Sequence, residues 1–341
     1  MKTVQLPEAH EDLSFLREQA ERFKTDCWPR MVSAVQDVYS QMELTGSALD
    51  MMAYQLGNPG KGIRPLLVLD LYTGLGGDED DILPFAAAVE LIHTASLIHD
   101  DIQDCDTFRR GCESVWSRYS VAQAINFGDL LYSLAFELVF RVRAPVRIKN
   151  VLFRETARSV RLLVRGQMLE MDFVRPEDVS LENYLTCAGH KTGGLFRLCI
   201  MGAFLVSGCP EQVFRDDADQ LGCFLGTLFQ IRDDLIDTDP TEKLRPGGSD
   251  FIRGFGSIVP LLALEELDEG DREALISLLS LPPEERKERI REQIELCRIS
   301  GAETRARNIM QETQNRLYSL RIMQTEPALL SCIIPLVRSI V

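Results

Sequence analysis

The chain of 341 residues is short of positive charge: 37 lysines and arginines stand against 52 aspartates and glutamates, a formal net charge of −15. A surface of that sign repels a polyanion, which argues against any nucleic-acid partner. A small anionic substrate stays open, because divalent cations and a few placed arginines reverse the sign inside a cleft. The nine cysteines form no C-x-x-C pair and no regular framework. With a polar start, Met1 to Leu6 followed by Glu8, His10 and Glu11, in place of a secretory leader, they are expected to be reduced thiols of a cytoplasmic protein. No uninterrupted apolar run reaches the roughly 18 residues of a membrane span, so no transmembrane segment is expected. The apolar tail Ala328 to Val341 is broken by Pro335 and Arg338 and is expected to be a packed terminal helix. Strand alternation with hairpin turns is missing, as are short repeats, low-complexity linkers and the G-x-x-x-x-G-K-S/T phosphate loop.

Helical patterning fills the chain instead. Asp81-Ile82-Leu83-Pro84 has the form of a helix start, with Asp81 as cap and proline in the first turn. Phe85 to Asp101 then runs without a breaker and is apolar nearly all round, the mark of a helix buried on most faces. Leu221, Leu225, Leu228, Ile231 and Leu235 recur at three- and four-residue steps over a second helix, about Asp216 to Asp237. Two more are expected over roughly Val121–Val142 and Val151–Phe173, and charged outer helices over Glu284–Arg321. Helices joined by short breakers predict one all-α domain over 1–341, with 1–30 as a helical N-terminal extension.

Two acidic clusters interrupt this pattern. Asp100-Asp101-Ile102-Gln103-Asp104 ends the first apolar helix, and Asp233-Asp234-Leu235-Ile236-Asp237 ends the second. In each, the first and last aspartates are four apart and share a helical face, while the middle one lies about 100° round. Three like charges this close need an offsetting cation, and a hard divalent ion with oxygen ligands provides one. One such cluster is ordinary in a chain with 52 acidic residues; two of identical spacing, each closing a buried helix, are not. Packed face to face, the two helices could aim both clusters into one cavity, where magnesium would be shared between carboxylates and a diphosphate.

Cationic residues suited to phosphate stand in three places. Arg109-Arg110-Gly111 follows the first cluster, and guanidinium forks bind phosphate bidentately. Gly60-Lys61-Gly62-Ile63-Arg64-Pro65 puts Lys61 and Arg64 three apart, as on one face of an incipient helix. Lys191-Thr192-Gly193-Gly194 sets a lysine beside a hydroxyl and two glycines.

In this order the motifs resemble those of the trans-isoprenyl diphosphate synthases, from about Gly60 to Pro260 and more loosely to the C-terminus. Gly60-Lys61 with Arg64-Pro65 is similar to the family's G-K-x-x-R-P. His93 to Gly111 resembles its first aspartate-rich motif with the arginine pair, and Asn126 to Asp129 its G-D helix start. Gly166-Gln167, Lys191-Thr192 and Phe229-Gln230-Ile231 with Asp233, Asp234 and Asp237 match its G-Q, K-T and second aspartate-rich motifs.

The resemblance implies an isoprenoid-synthase-type bundle of long antiparallel helices around a deep central cavity, as a homodimer. It implies transfer of an allylic group from dimethylallyl, geranyl or farnesyl diphosphate onto isopentenyl diphosphate, head to tail. It places three Mg2+ ions on Asp100, Asp101, Asp104, Asp233, Asp234 and Asp237. Arg109, Lys191 and Gln230 would contact the allylic diphosphate, and Lys61, Arg64, His93 and Arg110 the isopentenyl diphosphate. Thr192 and Gln167 would stabilise the allylic cation by their dipoles. The sequence departs from the family where Arg245 replaces a lysine, where Phe255 takes the place of a second lysine with Arg253 nearby, and where Glu170 stands for the aspartate after G-Q.

In such enzymes, residues just before the first cluster line the pocket floor. Ala95 and Ser96 are small and Ala88 lies two turns further down, while Leu91 and Ile92 form a partial floor. Geranylgeranyl or longer products are therefore expected ahead of farnesyl. Two other readings stay open: a terpene cyclase or non-standard prenyl coupling enzyme on the same fold, and a regulatory subunit of a heteromeric prenyl synthase.

Overall fold

A computed structural model describes residues 12–42, 44, 46–238 and 255–341, and for 12–16 and 177 the backbone only. Arg245 and Arg253 lie outside the described residues. In chain order the helices are α1 Asp12–Arg22, α2 Trp28–Tyr39, α3 Ser47–Leu56, α4 Ile63–Gly74 and α5 Glu79–Gln103. After a hairpin of two-residue strands, β1 Phe108–Arg109 and β2 Cys112–Glu113, come α6 Val115–Arg118, α7 Val121–Arg141 and α8 Val146–Met171. Then follow α9 Leu181–Lys191, α10 Gly193–Val206 and α11 Glu211–Asp237. The remaining helices include Ile258–Glu266, Ile290–Ser300, Ala302–Ser319 and Pro327–Arg338. The fold is all-α, as expected; the hairpin is too short to leave an alternation pattern in the sequence.

Side-chain caps set several starts. Asp78, Ser120 and Ser180 accept from backbone N–H groups of the first turns of α5, α7 and α9. The expected start of α5 is thereby corrected. The cap is Asp78, not Asp81, and Pro84 lies inside the helix, because Asp78 takes the Asp80 N–H at 3.0 Å and opens the helix three residues earlier.

The chain packs as two compact units. Unit 1 takes the described residues of Met1–Arg158, Leu198–Ala218 and Thr325–Ser339. Its axis is α5, flanked by α4, α7 and α2, with Phe85, Ala88, Val89, Leu91, Ile92 and Ala95 all at 2% exposure or less. By length and composition α5 could cross a membrane, although charged residues interrupt its apolar run; 78% of its most apolar stretch is buried inside the protein. The expected terminal helix is Pro327–Arg338, which packs on α4 and α1 and buries Leu329, Ile333 and Val337. Unit 2 takes Ser159–Arg197, the described residues of Asp219–Gln324, and Ile340–Val341. Its Ile258–Glu266 helix is buried over seven consecutive residues, against α9, Ile290–Ser300 and Ala302–Ser319.

Candidate functional site

In unit 1 the first acidic cluster closes α5. Asp100 and Asp101 fall in the last turn and Asp104 is the C-cap, its N–H bonded to the Asp100 carbonyl at 2.8 Å. A helix C-terminus is the negative end of its dipole, so carboxylates there need cations nearby. One cation is Arg109, whose Nε donates to Asp101 Oδ1 and whose Nη2 lies 3.5 Å from Asp106 Oδ2. Asp101 is 3% exposed. Burial pushes its carboxyl up to about 6, with Arg109 pulling the other way.

The hairpin explains how two adjacent arginines are aimed. Arg110 and Gly111 form its turn with φ of +55° and +80°. Two left-handed residues are what a type I′ turn requires, and a non-glycine residue held there costs about 1 kcal/mol. Trp116 Nε1 donates to the Asp106 carbonyl at 2.8 Å and ties the hairpin's approach. The Arg110 guanidinium lies over Gly60: a Cβ at that position would stand 2.6 Å from Nη2. Glycine in the G-K-x-x-R-P stretch therefore makes room for an arginine of the other motif.

On the next turns sit the remaining basic groups. Arg64 is in the first turn of α4 and His93 on α5, with Nη1 3.3 Å from Nε2. A guanidinium can only donate, so Nε2 accepts and the ring is neutral. Burial, followed by the charges of Arg64, Arg110 and Arg109, holds His93 well below the usual imidazole range. Lys61 corrects an expectation. It does not share a helix face with Arg64, because Gly62 takes φ +66° and α4 begins only at Ile63. Lys61 is exposed and lines a cavity of about 410 Å³ together with Arg22, Leu66, Asp70 and Leu336. Arg22 itself is paired with Asp70 and with Glu79 at 2.7 Å.

The residues expected to set product length are all interior. Ala88, Ile92 and Ala95 are fully buried, Leu91 is 2% exposed and Ser96 is 8% exposed. The Ser96 hydroxyl donates to the His93 carbonyl at 2.8 Å, which removes its polarity from the helix wall. In the N-F-G-D stretch, Gly128 lies under the His99 ring, which leaves no space for a side chain.

In unit 2 the second cluster closes α11 with the same spacing and a different support. Asp234 is 1% exposed. Its Oδ2 accepts from Tyr184 Oη at 2.9 Å and from the Ile258 N–H at 2.8 Å, and its Oδ1 accepts from Gln230 Nε2 at 2.9 Å. Burial raises its carboxyl, and the Ile258, Gln230 and Tyr184 bonds oppose the shift. Gln230 continues the chain of contacts to Thr192 Oγ1 at 3.5 Å. Asp237 is 7% exposed, whereas the Asp233 side chain is 60% exposed.

Lys191, Thr192 and Gln167 also belong to unit 2. Lys191 Nζ pairs with the Glu170 carboxylate, so the residue that departs from the family pattern is the partner of the K-T lysine. Gly166 has the Lys191 backbone against it, with Cα 2.8 Å from an added Cβ. Gly193 meets the Gly222 carbonyl in the same way at 2.5 Å. The glycines of both motifs thus serve close helix packing, which sets Lys191 and Thr192 beside α8 and α11. Gln167 is 8% exposed, and Phe255 is buried in the unit at 4% exposure. Sequence reasoning missed Tyr184 and the Ile258 N–H, which lie in no motif, and the buried Glu90 of unit 1. The only available signal for Glu90 was a charge inside an apolar helix.

Among the described residues, no three carboxylate, imidazole or thiol side chains gather around one point. The donors present are carboxylate oxygens at two helix ends. That set fits magnesium, which takes one or two carboxylates and completes its shell with water and substrate phosphate, and not an ion needing a full protein cage.

Comparison with known proteins follows the same lines. The polyprenyl synthetase family model matches residues 47–297. The short chain isoprenyl diphosphate synthase of Methanothermobacter thermautotrophicus is 39% identical over 223 residues, 64% of this chain and 68% of that protein. The geranylgeranyl diphosphate synthase of Methanosarcina mazei is 34% identical over 62% of this chain and 66% of its own length. The crystal structure of the polyprenyl synthetase from Streptomyces coelicolor superposes with a TM-score of 0.75 at 26% identity, covering 88% of this chain and 91% of that one.

Proposed function

We propose, for a chain that belongs to the polyprenyl synthetase family, that it makes geranylgeranyl diphosphate or a longer product from isopentenyl diphosphate and an allylic primer. Like its family, it is a prenyltransferase acting on diphosphates. The observation that carries the condensation reading is the gathering of Arg64, His93 and Arg110 in unit 1, a cationic seat for a second diphosphate that a cyclase has no use for.

In the proposed reaction, Asp100, Asp104, Asp233 and Asp237 hold magnesium on the allylic diphosphate, while Asp101 and Asp234, bound to protein donors, fix the two helix ends and complete the set. Three ions are proposed per site. Bound magnesium would neutralise the charge that develops on the departing diphosphate. Arg109, Lys191, Gln230 and Arg245 grip the same group. Lys61, Arg64, His93 and Arg110 hold isopentenyl diphosphate. The allylic C–O bond breaks, the isopentenyl double bond attacks the cation, and a proton is lost to the released diphosphate. Thr192 Oγ1 and the Gln167 amide oxygen turn their dipoles to the cation, and apolar walls keep water away. Small side chains at Ala95 and Ser96 support the longer product.

A homodimer is proposed as well. Val164, Met168 and Met171 are exposed at three- and four-residue steps on α8, as are Val121 and Ile125 on α7, and a second copy would cover them.

Incubation of the purified chain with magnesium, isopentenyl diphosphate and each primer, with the product identified by mass, tests this reading. A twenty-carbon or longer diphosphate is expected. Release of diphosphate without use of isopentenyl diphosphate would favour the cyclase, a reading to which the buried Phe255 lends support.

A further inference from the structure

Tyr184 lies in no motif, yet it is buried at 2% exposure with its hydroxyl on the middle aspartate of the second acidic cluster. It precedes Thr192, the C-cap of α9, by about two helical turns. The two side chains meet α11 at residues one turn apart. Tyr184 Oη donates to Asp234 Oδ2 at 2.9 Å, and Thr192 Oγ1 donates to Gln230 Oε1 at 3.5 Å. Residue numbers rise on α9 as they fall on α11, so the helices run antiparallel and are joined at both points. One turn earlier on α11 the backbones nearly touch. A Cβ at Gly226 would stand 2.3 Å from the Gly193 nitrogen and 2.7 Å from the Ala188 carbonyl oxygen. Packing this close leaves the two polar contacts little freedom to slide.

The hydrogen bonds also have a direction. Gln230 Nε2 donates to Asp234 Oδ1 at 2.9 Å, so Gln230 Oε1 is turned to Thr192 and takes its hydroxyl hydrogen. The Thr192 oxygen then keeps its lone pairs for an electron-poor neighbour. Tyr184 secures this direction whether Asp234 is ionised or neutral. A phenol donates to a carboxylate and accepts from a carboxylic acid, so a proton on Asp234 is held on the Oδ2 side and Oδ1 stays an acceptor. The Ile258 N–H on the same Oδ2 can only donate and cannot take that part. Without the phenol, a proton on Oδ1 would donate to Gln230 Oε1, swing the amide NH2 to Thr192 and turn the threonine hydrogen outward. We propose that Tyr184 is a positioning residue for the allylic half of the reaction: by pinning Asp234 Oδ2 it fixes Gln230 with its amide oxygen toward Thr192, and so sets both groups before the primer arrives. This rests on the assignment of Gln230 and Thr192 to the allylic substrate. Tyr184 touches no substrate, and its effect is passed through Asp234 and Gln230.

The test compares wild type with Tyr184→Phe, which keeps the ring and its packing and removes the hydroxyl, with folding checked by circular dichroism. Loss of this one hydrogen bond is expected to raise KM for the allylic primer about fivefold and to lower kcat about threefold, with KM for isopentenyl diphosphate within about twofold. Gln230→Leu removes the link that carries the effect. Adding Tyr184→Phe to Gln230→Leu is therefore expected to change primer KM and kcat by less than about twofold, short of the product of the single effects. An unchanged primer KM in folded Tyr184→Phe, an equal rise in both KM values, or fully additive losses with Gln230→Leu would each overturn the proposal. Wild type that releases diphosphate from primer without using isopentenyl diphosphate would overturn the condensation reading, and the primer KM of Tyr184→Phe against wild type still decides for or against Tyr184.

Discussion

The two aspartate clusters have one spacing and two kinds of support. In unit 1 the middle aspartate, Asp101, is neutralised by a cation, Arg109, delivered on a strained hairpin and 23% exposed to solvent. In unit 2 the middle aspartate, Asp234, is held by three neutral donors, a phenol, an amide and a backbone N–H, all within 2.9 Å. The ion pair with Arg109 offsets the charge of Asp101 itself, with Asp100 and Asp106 close by. The neutral cradle gives Asp234 hydrogen bonds from α9, α11 and the start of the Ile258–Glu266 helix but no countercharge, and burial raises its carboxyl. The same motif can therefore rest on an ion pair in one unit and on neutral hydrogen bonds in the other, and spacing alone does not reveal which.

The largest effect expected from breaking this comparison is on chemistry. Asp100→Ala and Asp233→Ala should each lower kcat by about a thousandfold with little change in melting temperature, since neither side chain is part of the core packing. Near-normal turnover in either would remove that cluster from the metal site. Next comes stability. Asp234→Ala strands three donors in a buried place and should cost about 3 kcal/mol, whereas Asp101→Ala leaves Arg109 able to reach water and should cost about 1 kcal/mol. Equal losses in urea unfolding would show that the two supports are energetically alike. Ala95→Phe should shorten the main product by at least one five-carbon unit, read by chromatography of the dephosphorylated alcohols, while an unchanged distribution would take α5 out of the length-setting wall. The smallest effect is in salt. The stability cost of Arg109→Gln should shrink between about 0.1 and 1 M salt, where screening falls to about 3 Å, and the cost of Tyr184→Phe, about 1 kcal/mol, should not.

Helix periodicity made most of the fold legible. The helices expected over Val121–Val142 and about Asp216–Asp237 occur as Val121–Arg141 and Glu211–Asp237, because apolar spacing is set by the core they face. Boundaries drifted where a cap competed. Asp78 and Asp81 are both good caps on paper, and only the three-dimensional position of the Asp80 N–H decides between them. In the site, motif residues were legible because the chemistry needs those residue types at those steps. Their supports were not. Tyr184 and the Ile258 N–H reach Asp234 from 50 and 24 residues away, and the partner of Lys191 is a glutamate on another helix. The role of Gly60 also depends on Arg110, a contact across 50 residues that no local pattern records.

The most direct test of the account is a magnesium titration of turnover in wild type, Asp100→Asn and Asp233→Asn at saturating isopentenyl diphosphate and primer. The account predicts that chelation abolishes wild-type activity, that magnesium restores it, and that both variants need at least about tenfold more magnesium for half-maximal rates. Activity that persists without divalent cation, or a variant whose magnesium curve overlays that of wild type, would contradict it.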